Sequence, residues 1–155
     1  MAGARGVTLL EMLIVVALIA LLAGLTYPSV TSGLDALRLR SASDQIVTLL
    51  TTALDRAGRK QQVVEVWISP ADNALVARSD DREFQRRVDV ADPVRIVGVR
   101  PPLPNETAPQ PRRFLIYPGG SVPRIALEIA TRDGRRRLIS VDPLSGFPRS
   151  DPVTP

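Results

Sequence analysis

Val7-Thr-Leu-Leu-Glu-Met-Leu-Ile-Val-Val-Ala-Leu-Ile-Ala-Leu-Leu-Ala-Gly-Leu-Thr-Tyr27 is apolar almost throughout, and Glu11 is its only charge. A helix of about 20 mostly apolar residues crosses a bilayer, so this run predicts a helix that lies in lipid or in a protein core. A carboxylate on such a helix costs roughly 2.5–3.5 kcal/mol near the bilayer centre and less toward the interface. Glu11 is therefore a functional candidate that needs a charge partner.

Upstream, Met1 to Gly6 is small and polar, with one positive charge at Arg5. The positive-inside tendency keeps that end cytoplasmic. A cleaved secretory signal has a shorter apolar core, about 7–15 residues, and no acid within it. Downstream stands Pro28, which kinks or ends a helical pattern. From Gly33 to Gly58 the pattern resumes, with Leu34, Leu37, Ala42, Ile46, Leu49, Leu50, Ala53, Leu54 and Ala57 at three- and four-residue spacings. Gly58 is the expected stop. Thr8 to Ala57 would form a stem about 75 Å long at 1.5 Å per residue, less any bend.

Beyond Gly58 the pattern becomes strand-like. Val63 to Ile68 is β-rich, Ser69 to Asn73 reads as a turn, and Ala74 to Arg78 returns. Ser79 to Arg87 is dense in charge and is expected to be a solvated loop. Val94 to Val99 is β-branched. Pro101 to Pro111 carries five prolines in eleven residues and is an extended loop. Phe114 to Tyr117 is a short strand stopped by Pro118-Gly119-Gly120; with no Lys-Ser/Thr after it, the Gly-Gly step is not a phosphate loop. Ile125, Leu127 and Ile129 alternate with smaller or polar residues, Arg132-Asp133-Gly134-Arg135 turns, and Arg136 to Asp142 returns, the clearest hairpin in the chain. Asp142 to Gly146 ends that strand, and a proline-rich end follows.

Composition removes whole classes of chemistry. There is no cysteine and no histidine, so disulfides, Cys nucleophiles, His catalysis and His/Cys zinc sites are excluded. The net charge is +4, and Lys60 is the only lysine among 20 cations. No nucleophile–base pair is visible, and neither an enzymatic activity nor a cofactor is expected.

Gly6-Val7-Thr8-Leu9-Leu10-Glu11 resembles the cleavage site of type IV pilins and type II secretion pseudopilins. The resemblance implies that a prepilin peptidase cuts between Gly6 and Val7. It also implies that Val7, where relatives most often carry Phe, becomes an N-methylated cationic terminus. The partner of Glu11 would then be the α-amine of Val7 on a neighbouring subunit. Opposite charges about 4 Å apart gain on the order of 4 kcal/mol at an effective dielectric of 20, enough to offset the desolvation and set the register of assembly. Pilin-like stems also carry a proline near the position of Pro28. Phe114 to Arg149, with its Pro-Gly-Gly and Asp-Gly turns and its Asp142-Pro143-Leu144-Ser145-Gly146 end, is similar to minor pseudopilins of the GspH and FimT kind. The single early tryptophan, Trp67, argues for a minor rather than the major component.

The implied architecture is α+β and pilin-like. A long N-terminal α-helix, transmembrane in its first half and amphipathic in its second, packs on a C-terminal antiparallel β-sheet domain. The divisions are a leader at 1–6, a membrane or filament-core helix at 7–28, an amphipathic helix at 29–58 and a periplasmic β-domain at 59–155. The implied location is the bacterial inner membrane, with the N-terminus cytoplasmic. The implied partners are the prepilin peptidase, the inner membrane and other pseudopilins in a hetero-oligomeric filament, with Glu11 and Pro28 serving assembly. A subunit that keeps Glu11 suits a place within or near the top of a filament rather than a pure end cap. An alternative reading is a FimT-like minor pilin for pilus assembly or DNA uptake. It rests on Gly134-Arg135-Arg136-Arg137, which fits the Gly-Arg-x-Arg string of such pilins; nucleic acid is a partner only in this reading.

Overall fold

The computed structural model describes residues 7–80, 84–104, 107–119 and 122–153, and of residues 25–32 the backbone alone. The chain divides into two compact units, Met1–Leu34 and Asp35–Pro155. A single helix, α1 (Leu9–Lys60), begins in the first unit and ends in the second. Eight strands follow: β1 (Val64–Ser69), β2 (Ala74–Ser79), β3 (Gln85–Asp89), β4 (Arg95–Arg100), β5 (Arg112–Ile116), β6 (Ala126–Ala130), β7 (Arg136–Val141) and β8 (Pro148–Val153). The α+β architecture read from the sequence, a long helix followed by an antiparallel β-domain, is the one observed.

In the first unit, every large apolar side chain from Val7 to Leu22 is exposed, from 43% at Val15 to 84% at Leu9. A helix apolar on all sides is one that lipid or partner helices cover. Among the described residues no helix is long and apolar enough to cross a membrane. The expectation of a span over 7–28 rests on the sequence run, which passes Gly24 into residues described by backbone only.

The second unit has its own core. Leu39, Ala42, Ile46, Leu49, Leu50, Ala53 and Ala57 form the buried stripe of α1, spaced three and four apart. Leu34 and Leu37, expected on the apolar face, are instead 46% and 65% exposed, and the stripe starts at Leu39. Nor does the helix end at Pro28 or at Gly58. It runs to Lys60, and Gln61 takes the left-handed conformation at φ 51°. Gln61 Nε2 donates to the Gly58 carbonyl at 2.6 Å, satisfying one of the acceptors that a helix end leaves open.

The strands make two four-stranded antiparallel sheets, in the orders β3-β2-β1-β5 and β4-β6-β7-β8. Val64, Val66 and Ile68 of β1 alternate with outward residues, as do Leu127 and Ile129 of β6 and Ile139 and Val141 of β7. The inward side chains of both sheets and the α1 stripe form one continuous core. Each fully buried Ile or Leu there contributes roughly 1.5–3 kcal/mol. The β6–β7 turn falls at the expected Asp133-Gly134, with Gly134 at φ 88°, where a side chain would be strained.

Two strands depart from the expectation. Gln85 to Arg87 is not loop but the start of β3, paired along its length with β2; residues 81–83 of that charged stretch lie outside the described residues. The proline-rich end is β8, paired with β7. Both are edge strands, where charge and proline are tolerated and where they block further pairing.

One side chain joins the sheets. Asn73, at φ 52° in the β1–β2 turn and 7% exposed, donates from Nδ2 to the Val90 and Val94 carbonyls at 2.7 and 2.8 Å. Its Oδ1 accepts the Ile96 amide at 2.8 Å. The amide thus ties the turn of one sheet to the segment that enters β4 of the other.

Candidate functional site

The start of α1 is built by Thr8-Leu9-Leu10-Glu11. Thr8 Oγ1 accepts the Glu11 amide at 3.2 Å, and the Thr8 carbonyl accepts the Met12 amide at 3.2 Å. Thr8 is the N-cap and Glu11 the third helical residue, the Thr-x-x-Glu spacing of a capping box. The carboxylate stands in the first turn, where the helix dipole favours negative charge by about 0.3–1 kcal/mol. Among the described residues no cation pairs with Glu11, and Val7 beside it is 66% exposed. Gly6 lies outside the described residues, as does the Pro28 side chain, so the cleavage step and the proline contact are outside the structural description.

The three arginines of the hairpin take different partners. Arg135 Nε pairs with Asp133 at 3.1 Å across the turn. Arg136 reaches the outer face of β6, where its Nη1 meets Glu128 at 3.1 Å. Arg137, one residue on, points to the other face because side chains alternate along a strand. There Nε donates to Ser150 Oγ at 2.8 Å and Nη2 to the Ser150 carbonyl at 3.2 Å, while the fully buried Ser43 of α1 donates to Ser150 Oγ at 2.5 Å. Arg137 therefore ties β7 to β8 beside the helix, and all three arginines line one cavity of about 430 Å³ at this end of the hairpin.

The electrostatics of the second unit are mostly local. Asp133 is held below the ordinary carboxylate range by the Thr131 hydroxyl first and then by the Arg135 amide. The Leu144 and Ser145 amides lower Asp142, to which they donate at 2.8 and 3.3 Å. The Arg87 guanidinium, which donates to Asp89, lowers that carboxyl too. Among the described residues no group of three or more acidic side chains is placed to hold a metal ion.

In the sequence Glu11 stands out by its charge, and Thr8 is marked as its cap only by the Thr-x-x-Glu spacing. The Gly-Arg-x-Arg string does not show which face of a strand each residue takes, so Arg137 looks there like its neighbours.

Residues 1–27 match the family model described as the prokaryotic N-terminal methylation motif. The matched segment contains Gly6, Val7, Thr8 and Glu11. It supports a precursor of the type IV pilin and pseudopilin kind, and it implies processing by a prepilin peptidase, anchoring in a membrane and assembly with other pilins. No curated protein matches the chain, and no solved structure does.

Proposed function

We propose that this chain is a minor pseudopilin of a type II secretion system, inserted in the bacterial inner membrane and cut between Gly6 and Val7. Val7 becomes the methylated terminus, and Glu11 pairs with the α-amine of a neighbouring subunit as stems stack into a periplasmic pseudopilus. The observation that carries this reading is Glu11 itself. It lies in the matched methylation motif, in the first turn of a helix whose N-terminal run is otherwise apolar, with no cation against it among the described residues. The β-domain supports a minor subunit, because Phe114 to Arg149 forms the strand, hairpin and Asp142–Gly146 turn that GspH- and FimT-like chains resemble. The role needs assembly contacts rather than catalytic groups.

The test is a strain lacking this chain, complemented with wild type or with Glu11→Ala. Loss of a secreted protein from the medium is expected. Glu11→Ala should stay in the membrane and be cut normally, yet fail to co-purify with the other pseudopilins. Intact secretion together with lost DNA uptake would replace this reading with the pilus one. That alternative would rest on Arg135, Arg136 and Arg137, which line one cavity but are each engaged within the domain, by Asp133, Glu128 and Ser150.

A further inference from the structure

The outer face of the β4-β6-β7-β8 sheet ends in a row that runs straight across it. Arg100, Ala126, Ser140 and Arg149 stand opposite one another on the four strands. Ala126 and Ser140 are small, so the middle of the row is a depression between two arginines on the edge strands. Arg124, two residues before Ala126, borders the same depression and adds a third cation. Together with Pro143 and Leu144 these residues line a groove of about 580 Å³.

The charges in the groove are underused. Arg124 is exposed and, among the described residues, makes no ion pair or hydrogen bond. Arg100 stands 3.9 Å from Glu128, and Arg149 stands 3.6 Å from Asp151, both long contacts. The one acid in the lining, Asp142, is turned onto the amides of its own loop. Beside these cations Leu144 is 97% exposed. Arginine next to exposed apolar side chains is the composition of a protein-binding patch. A phosphodiester backbone would use the cations but not Leu144 or Pro143.

We propose that this groove docks an extended acidic segment of a partner protein, with carboxylates toward Arg100 and Arg149 and an apolar side chain between them against Leu144. The geometry sets the spacing. Three interstrand steps of about 4.8 Å separate β4 from β8 by about 14 Å, and an extended chain covers that in about four residues. Residues four apart on an extended chain share a face, so Glu-x-Leu-x-Glu presents both carboxylates and the leucine together. The proposal does not depend on the secretion reading.

The test uses the full chain in detergent micelles and fluorescein-labelled Gly-Glu-Ser-Leu-Ser-Glu-Gly, followed by anisotropy. Saturable binding is expected, with Kd raised at least tenfold in Arg124→Ala/Arg149→Ala, raised severalfold in Leu144→Ser, and unchanged in Arg132→Ala on the distant hairpin turn. All four side chains are exposed, so thermal unfolding of the variants should match wild type. The proposal is overturned if no peptide binds, if a Lys-Ser-Leu-Ser-Lys version binds as well, or if the double variant leaves Kd unchanged. It is also overturned if an oligothymidylate, and not the acidic peptide, is the probe whose binding the substitutions abolish.

Discussion

Thr8 Oγ1 caps the helix by accepting the amide of Glu11, the residue whose carboxylate is the only charge in the apolar run. The same four residues thus start the helix and fix the carboxylate in its first turn, one turn from Val7. Cap and charge separate by mutation. Thr8→Ala should cost about 1 kcal/mol of local stability and Thr8→Ser almost nothing. Hydrogen exchange of the Glu11 and Met12 amides in micelles should speed up severalfold in Thr8→Ala only. Glu11→Gln should leave that exchange near wild type while impairing assembly. Equal protection in wild type and Thr8→Ala would remove the capping assignment.

Asn73 should be the most sensitive polar position in the second unit. Asn73→Ala leaves two buried carbonyls and one amide without partners and puts Ala at φ 52°, so a loss of about 2–4 kcal/mol is expected. In a chain of this size that is a drop of roughly 4–16 °C in Tm. Asn73→Gly tolerates the backbone but not the lost amide and should fall in between. Calorimetry of the three proteins checks the order.

Arg137 and Arg135 should part company. Arg137→Ala removes two charge-assisted hydrogen bonds to Ser150 and should cost about 1.5–3 kcal/mol. The exposed Arg135–Asp133 pair is worth about 0–1 kcal/mol, so Arg135→Ala should scarcely shift the urea midpoint. Equal effects from the two would contradict the inward placement of Arg137.

Acid should weaken the β-domain through its turns. The Asp133 and Asp142 carboxyls are depressed in the folded state. Such groups add stability that is present above the unfolded value, about 3.9, and is lost as pH falls through the lower folded value. Tm should therefore decline below about pH 4, and Asp133→Asn with Asp142→Asn should flatten that decline. An acid limb unchanged by the double variant would show that other carboxylates set it.

Strong local signals were legible. The distal stripe of α1 shows in its three- and four-residue spacing, and the β6–β7 hairpin in its alternation and its Asp-Gly turn. What escaped depends on distant partners. In β3, Gln85-Arg86-Arg87-Val88-Asp89 has one apolar residue and becomes a strand only because β2 offers an edge. Pro148 and Pro152 argue against a strand until β8 is seen to lie at a sheet edge. The helix end moved from Gly58 to Lys60 because Gln61 adopts the left-handed turn and caps with its own amide. The division into two sheets has no local signal either, since β5 crosses back to pair with β1. Of the candidate site, the residue types at Gly6, Val7 and Glu11 could be read directly. The cap at Thr8 is legible in Thr-x-x-Glu, whereas the inward turn of Arg137 depends on the folded sheet.

On the proposed reading, the amine partner of Glu11 exists only after a cut before Val7. Mass spectrometry of the N-terminal peptide, from the chain purified out of its own membranes, tests it most directly. A terminus at Val7 carrying one added methyl group is expected, with the uncut leader retained in Gly6→Ala. A mature protein that still begins at Met1, or that is cut beyond Glu11, would contradict it.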